Sequence, residues 1–212
     1  MKFSQTRICG LLVVLFYTVG FFGLNSTMSV ELFKELVPFH LLLMFVLIII
    51  SHKNQNRAFW TFVTVTYIAG FLIELAGVKT GYIFGDYNYG PTLGYKVYDI
   101  PLIIGVNWVL MVYSTGAILA NLKIKNRIIL ALFGAGILTI VDLLIEPVAV
   151  KFDYWSWANN EIPLHNSIGW FLFSFLMMSV FYMLQFEKNN RVGSILFIIQ
   201  ALFFLGLNIA II

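Results

Sequence analysis

Continuous apolar stretches such as LLLMFVLIII (residues 41–50) and SILFIIQALFFLGL (residues 194–207) leave this chain few places to go. They have no polar face to offer water, and in lipid a backbone must satisfy its own hydrogen bonds, which a helix does and an open strand does not. Seven such stretches occur, at about residues 8–24, 33–51, 58–76, 99–120, 128–149, 164–186 and 193–212. Each is near the length of about 20 residues that crosses a hydrocarbon layer. The expected fold is therefore an all-α integral membrane protein with about seven transmembrane helices, in a single domain over residues 1–212. A closed barrel would need many alternating strands of about ten residues, and these runs do not alternate. Composition agrees: 60% of residues are hydrophobic and 11% charged, against about 25% charged in a soluble domain. Residues 1–24 also fit a signal peptide with a basic start, although no small-x-small cleavage pattern follows.

Lysine and arginine are retained on the cytoplasmic side of a membrane, so their positions orient the spans. Lys2, Arg7, Lys53, Arg57, Lys123, Lys125, Arg127, Lys188 and Arg191 fall at the N-terminus and in the even-numbered loops; Lys34, Lys79, Lys96 and Lys151 fall on the other side. The N-terminus is expected inside and the C-terminus outside. The cytoplasmic loops (HKNQNR, NLKIKNR, EKNNR) read as topology anchors, and the unusual sequence lies in the outer ones. A net charge of +3 is too small to point to nucleic acid, Cys9 has no disulfide partner in the chain, and no CxxC or HxxxH pattern offers a zinc site. No metal and no cofactor is expected.

The longest connection, VKTGYIFGDYNYGPTLGYKVYD, holds five of the ten tyrosines. Such residues suit an interfacial belt, but Tyr87-Asn88-Tyr89 before Gly90-Pro91 also reads as a turn or short hairpin able to cap a cavity that opens outward.

Acidic residues within a span are costly and are functional suspects by default. Three qualify: Glu74 near the outer end of the third span, and Asp142 and Glu146 in the outer half of the fifth. The i,i+4 spacing sets the latter two on one helix face about 6 Å apart, where two anions repel, so one of them is expected to hold a proton. Both spans run outward, so the negative end of the helix dipole adds to that effect, and Pro147 is expected to mark where the fifth helix loses regularity. The simpler reading is that each acid bonds to another helix or pairs with Lys79 or Lys151. Asn107, His165 and Asn166, at the outer ends of neighbouring spans, could position water, whereas His40 reads as a satisfied buried histidine. Trp108, Trp155, Trp157 and Trp170 serve either as interface anchors or as aromatic walls that stabilise a cation.

Acids, aromatic faces and an apolar surround suit chemistry in which a proton opens a lipid-soluble alkene to a tertiary carbocation. Residues 67–170 carry more. ELAGVKTGYIFGDYNYGPTLG, DIPLIIGVNWVLM, DLLIEPVAVKFDYWSW and IPLHNSIGW contain E-x-x-G-x-x-T-G-x-x-F-G, D-x-x-x-E-P and W-x-W in that order. This combination closely resembles the carotenoid 1,2-hydratase family of membrane carotenoid biosynthesis proteins. NNEIP and Ser167 depart from the family pattern, which bears on end-group specificity.

The resemblance implies addition of water to the terminal double bond of an acyclic carotenoid end group, of lycopene or γ-carotene type, giving a tertiary alcohol. It implies a carotenoid substrate, membrane lipid and other carotenoid biosynthesis enzymes as partners, and a bacterial inner membrane as the location. Glu74, Asp142 and Glu146 are the expected catalytic residues; Asn107, Trp108, Tyr87, Tyr89, Trp155, Trp157, His165, Asn166 and Trp170 are the expected substrate-binding ones. A carotenoid cyclase shares the first step. A proton-coupled transporter or a non-catalytic carotenoid binder would also use intramembrane acids. A retinal protein would need a lysine in the last span, and a prenyltransferase Asp-rich motifs, and the chain has neither.

Overall fold

The computed structural model describes residues 4–122 and 124–211; Lys2 and Lys123 of the charge pattern lie outside the described residues. Eight α-helices occur among these: α1 (Gln5–Asn25), α2 (Val30–Glu35), α3 (Val37–Ser51), α4 (Arg57–Thr80), α5 (Ile103–Leu119), α6 (Arg127–Lys151), α7 (Leu164–Met183) and α8 (Arg191–Ile211). This is an all-α membrane protein. Five helices are long and apolar enough to cross a bilayer, while α3 and α5 are equally apolar but shorter, at 15 and 17 residues. The charged start of the expected second span separates as α2, where Lys34 pairs with Glu31 at 3.2 Å. The chain then turns at Leu36, just ahead of Pro38.

Three of the loops toward the basic end supply a helix cap of the same kind. Asn56 Oδ1 accepts from Phe59 N, Asn126 Oδ1 from Ile128 N and Ile129 N, and Asn190 Oδ1 from Val192 N and Gly193 N. Each satisfies backbone N–H groups that the first turn leaves unpaired. Each of these Asn residues precedes an arginine, Arg57, Arg127 or Arg191. A cation at a helix N-terminus opposes the dipole, so the arginines answer to another constraint than helix stability.

At the centre stands α5, with 15 of its 17 residues buried. A helix that is apolar all round must be enclosed by others, and α3, α4, α6, α7 and α8 all pack on it. Close approach is set by glycine: a Cβ on Gly70 would fall 2.7 Å from the Trp108 side chain, and one on Gly116 2.4 Å from Phe181. The surrounding helices turn leucines, isoleucines and phenylalanines outward, Leu11, Phe22, Ile140 and Leu172 among them, as a lipid-facing surface requires. Helix α1 packs against α8 and α3 as a member of the bundle.

Two expectations change here. Helix α6 runs unbroken past Pro147 to Lys151. Proline removes one N–H donor, a loss that tightly packed membrane helices tolerate. Helix α5, the expected fourth span, starts at Ile103, later than expected, because residues 96–101 fold into a small hairpin of β2 (Lys96–Val97) and β3 (Ile100–Pro101), numbered after β1 (Tyr87–Tyr89). Asp99 sits exposed at its tip with φ 72°, and Lys79 at 2.6 Å holds its carboxyl below the usual range.

Candidate active site

Strand β1 pairs antiparallel with β4 (Trp155–Trp157), so two loops far apart in sequence, at one end of the bundle, meet as a lid. The expected hairpin within residues 87–91 does not form; the partner of Tyr87-Asn88-Tyr89 is Trp155-Ser156-Trp157. The register sets Tyr87 opposite Trp157 and Tyr89 opposite Trp155. Because side chains alternate along a strand, these four aromatics share the inner face while Asn88 and Ser156 are exposed. Gly90 closes the pairing: its N–H donates to Tyr154 O at 2.9 Å, and a Cβ there would lie 1.9 Å from Asp153 O.

Under this lid sit the three acids, all buried. Glu74 comes from α4, about two turns before Gly81, at φ 68°, ends the helix. Its Oε2 accepts from Tyr87 OH at 2.5 Å and Tyr89 OH at 2.8 Å, and its Oε1 from Trp108 Nε1 at 3.0 Å. Asp142 and Glu146 share one face of α6. Glu146 Oε2 accepts from Trp155 Nε1 at 3.0 Å and Trp157 Nε1 at 2.8 Å. Asn166, near the start of α7, donates its Nδ2 to both Glu146 Oε1 and Asp142 Oδ2 at 3.2 Å. Asp142 Oδ1 is buried with no hydrogen-bond partner.

The donors on Glu74 are neutral. Burial and the adjacent carboxylate push the Tyr87 and Tyr89 phenols well above their ordinary range, so both remain protonated. The only salt bridges among the described residues are Lys34–Glu31 and Lys79–Asp99. Of the simpler reading, pairing with Lys79 or Lys151 does not occur, whereas bonding to another helix does: Glu74 to Trp108 of α5, and Asp142 and Glu146 to Asn166 of α7. No group of His, Cys, Asp and Glu side chains among the described residues is arranged for a metal ion, and five of the six acid oxygens already receive N–H or O–H donors.

A cavity of about 30 Å³ remains between Glu74, Glu146, Asn166 and the rings of Phe84, Trp157 and Trp170, room for about one or two waters. Trp170 stacks on Trp108 at 4.5 Å between ring centres. Phe84, absent from the expected site residues, is buried here, and the only signal for it in the sequence was its place in the F-G pair of the motif.

Two expected residues lie elsewhere. Asn107 lines a separate apolar cavity, because successive residues of a helix point about 100° apart and Trp108 takes the direction of Glu74. His165 is exposed over Gly85 for the same reason, its neighbour Asn166 turning inward. His40 is half-buried, edge-on to Tyr17 at 4.6 Å and beside that second cavity. An enclosed acid cluster with neutral donors, aromatic walls and space for water can hold a proton, orient a water and stabilise a developing cation.

Bisanhydrobacterioruberin hydratase of Haloarcula japonica is 30% identical to this chain over 107 residues, which are 47% of the chain and 36% of that protein. The chain thus matches about a third of this relative's length. No solved structure matches it. The family described as carotenoid biosynthesis protein matches residues 35–211, a stretch that takes in every acid, donor and aromatic wall of the cluster, and the chain accordingly belongs to that family.

Proposed function

We propose that the protein hydrates the terminal double bond of an acyclic carotenoid end group, of lycopene or γ-carotene type, without a cofactor. The observation that carries this reading is the burial of Glu74, Asp142 and Glu146 under one aromatic lid with neutral donors alone. Asp142 and Glu146 share a proton: the donors on Glu146 suit an anion, whereas Asp142 has an oxygen that no donor reaches. Glu146, which faces the cavity, delivers the proton to the less substituted C–H carbon of the terminal double bond, which leaves the cation on the dimethyl carbon. The tertiary cation is stabilised by the Glu74 carboxylate and the faces of Trp157 and Trp170. Water then forms the C–O bond and gives its proton to Glu74, and that proton returns to the Asp142–Glu146 pair to close the cycle. Trp108, Tyr87 and Tyr89 hold Glu74 in place.

Seven membrane spans with the N-terminus inside accompany this reading. The described basic residues Arg7, Lys53, Arg57, Lys125, Arg127, Lys188 and Arg191 support it. The acids then lie near the outer leaflet of a bacterial inner membrane, at the depth reached by one end of an extended carotenoid, about as long as the layer is thick at about 30 Å.

Expression in a lycopene-producing host tests the reaction. The expected product is one water heavier than lycopene. An isomer of unchanged mass would mean that the cation is captured by an internal double bond, as in a cyclase. Full yield of the hydrated product from the Glu74→Gln, Asp142→Asn and Glu146→Gln variants alike would reject the acid mechanism.

A further inference from the structure

The cavity between the acids is too small for a branched hydrocarbon end, so the substrate chain must be held in adjoining space. The geometry points to the apolar cavity between α1, α3, α5 and α8 as the binding channel for the polyene chain, with Trp155 as the movable wall between it and the acids; this rests on the proposed hydration. Its volume is about 320 Å³, within the range of about 300–1,000 Å³ typical of ligand sites. Trp155 is the one residue among those described that lines both spaces. It is half-buried, and a single hydrogen bond ties its Nε1 to Glu146.

The channel also faces the phase where such a substrate dissolves. Phe16 and Val19 of α1, with Leu36 and Phe39 at the α2–α3 junction, line it and are exposed. On the lipid-facing side of a membrane bundle, exposed apolar residues around an opening make a lateral mouth. At the inner end are Ile104 of α5 and Ile145 of α6, the latter adjacent in sequence to Glu146. A chain entering between α1 and α3 thus arrives at Trp155, and outward rotation of that ring admits its end to the acids.

Gly20 gives the test. It lines the channel, and a Cβ there meets only Phe203 at an ordinary 3.7 Å. Gly20→Phe fills the channel without touching the acids, and Leu43→Trp does so from α3. Gly136→Phe is the control, since nothing lies within 4 Å of a Cβ at that position. Lycopene binding to the purified full chain in detergent is followed by quenching of tryptophan fluorescence. Gly20→Phe and Leu43→Trp are expected to weaken it by about tenfold or more, a readable shift in Kd, and Gly136→Phe to leave it unchanged. Wild-type affinity in either folded channel variant overturns the proposal. So does wild-type protein whose channel retains a phospholipid acyl chain that lycopene does not displace, a measurement that needs no variant. If lycopene binds in the channel-dependent way but is never hydrated, the channel stands and the reaction fails. If the channel variants hydrate and bind normally, the reaction stands and the channel fails.

Discussion

Replacing Asp142 by asparagine separates two protonation states of the acid cluster. The side chain is fully buried; Oδ2 receives half of the Asn166 amide and Oδ1 receives nothing. If Asp142 carries the shared proton, the amide is an isosteric neutral substitute. It can still accept from Asn166, its NH₂ takes the place of the unpartnered oxygen, and the cost is about 1 kcal/mol or less. If Asp142 were instead an anion about 6 Å from a charged Glu146, their repulsion would be about 3 kcal/mol at an effective dielectric constant of about 20. Removing that repulsion would stabilise the fold by a similar amount. For a chain of this length a kcal/mol moves Tm by about 2–4 °C. The two states therefore differ in sign: a small fall or no change for the neutral acid, a rise of about 6–12 °C for the anion. Hydration, followed as the yield of the product one water heavier, is expected to fall by about 10²–10⁴, the usual worth of a positioned general acid. Wild-type yield from Asp142→Asn would refute the shared-proton mechanism, and so would a raised Tm, which means that both carboxyls are ionised and the pair has no proton to give.

Gly90→Ala changes no acid or donor residue but drives a methyl into Asp153 O, so the lid should part and carry its four aromatic donors away from Glu74 and Glu146; hydration is expected to collapse, while Ser156→Ala, on the exposed face of β4, keeps wild-type yield. Lys188 lies half-buried in the α7–α8 loop, its Nζ 3.0 Å from the centre of the Phe186 ring, and burial with the nearby Arg127 charge lowers it to about 7. Between that value and the lysine's ordinary 10.5 the folded chain has lost a proton that the unfolded chain keeps, so Tm is expected to climb from pH 7 to about 9, and Lys188→Met to flatten the climb.

The helices were legible because their signal is local: an apolar run in lipid has one backbone solution. The acids were legible for the same reason, since a carboxyl in a span contradicts its surroundings. What the sequence left open was direction around each helix axis. Asn107 and His165 have the right depth and the wrong azimuth, displaced by Trp108 and Asn166, one residue away in each case. The lid was half written. YNY and WSW both carry aromatics at i and i+2, the period of a strand, but Gly90-Pro91 drew attention to a local turn. Nothing local says that the two triplets are each other's partners, because the pairing depends on α4 and α6 bringing their C-terminal ends together around α5.

The same geometry explains why, among the described residues, no cation pairs with the acids. A lysine or arginine in the cluster would offset the desolvation of one carboxylate more fully than any neutral donor. It would also cancel the negative field that the proposed carbocation needs and repel the proton before it moved. Tyrosine and tryptophan N–H and O–H groups satisfy carboxyl oxygens without adding charge, and the rings that carry them offer their faces to a cation. The five aromatic donors of this site, two on Glu146 and three on Glu74, thus solve the burial problem and the chemical problem together. The lid must consequently be built from alternating aromatics, and a helix at that place, with its period of about 3.6, could not aim two indoles from neighbouring positions of one short segment at a single oxygen.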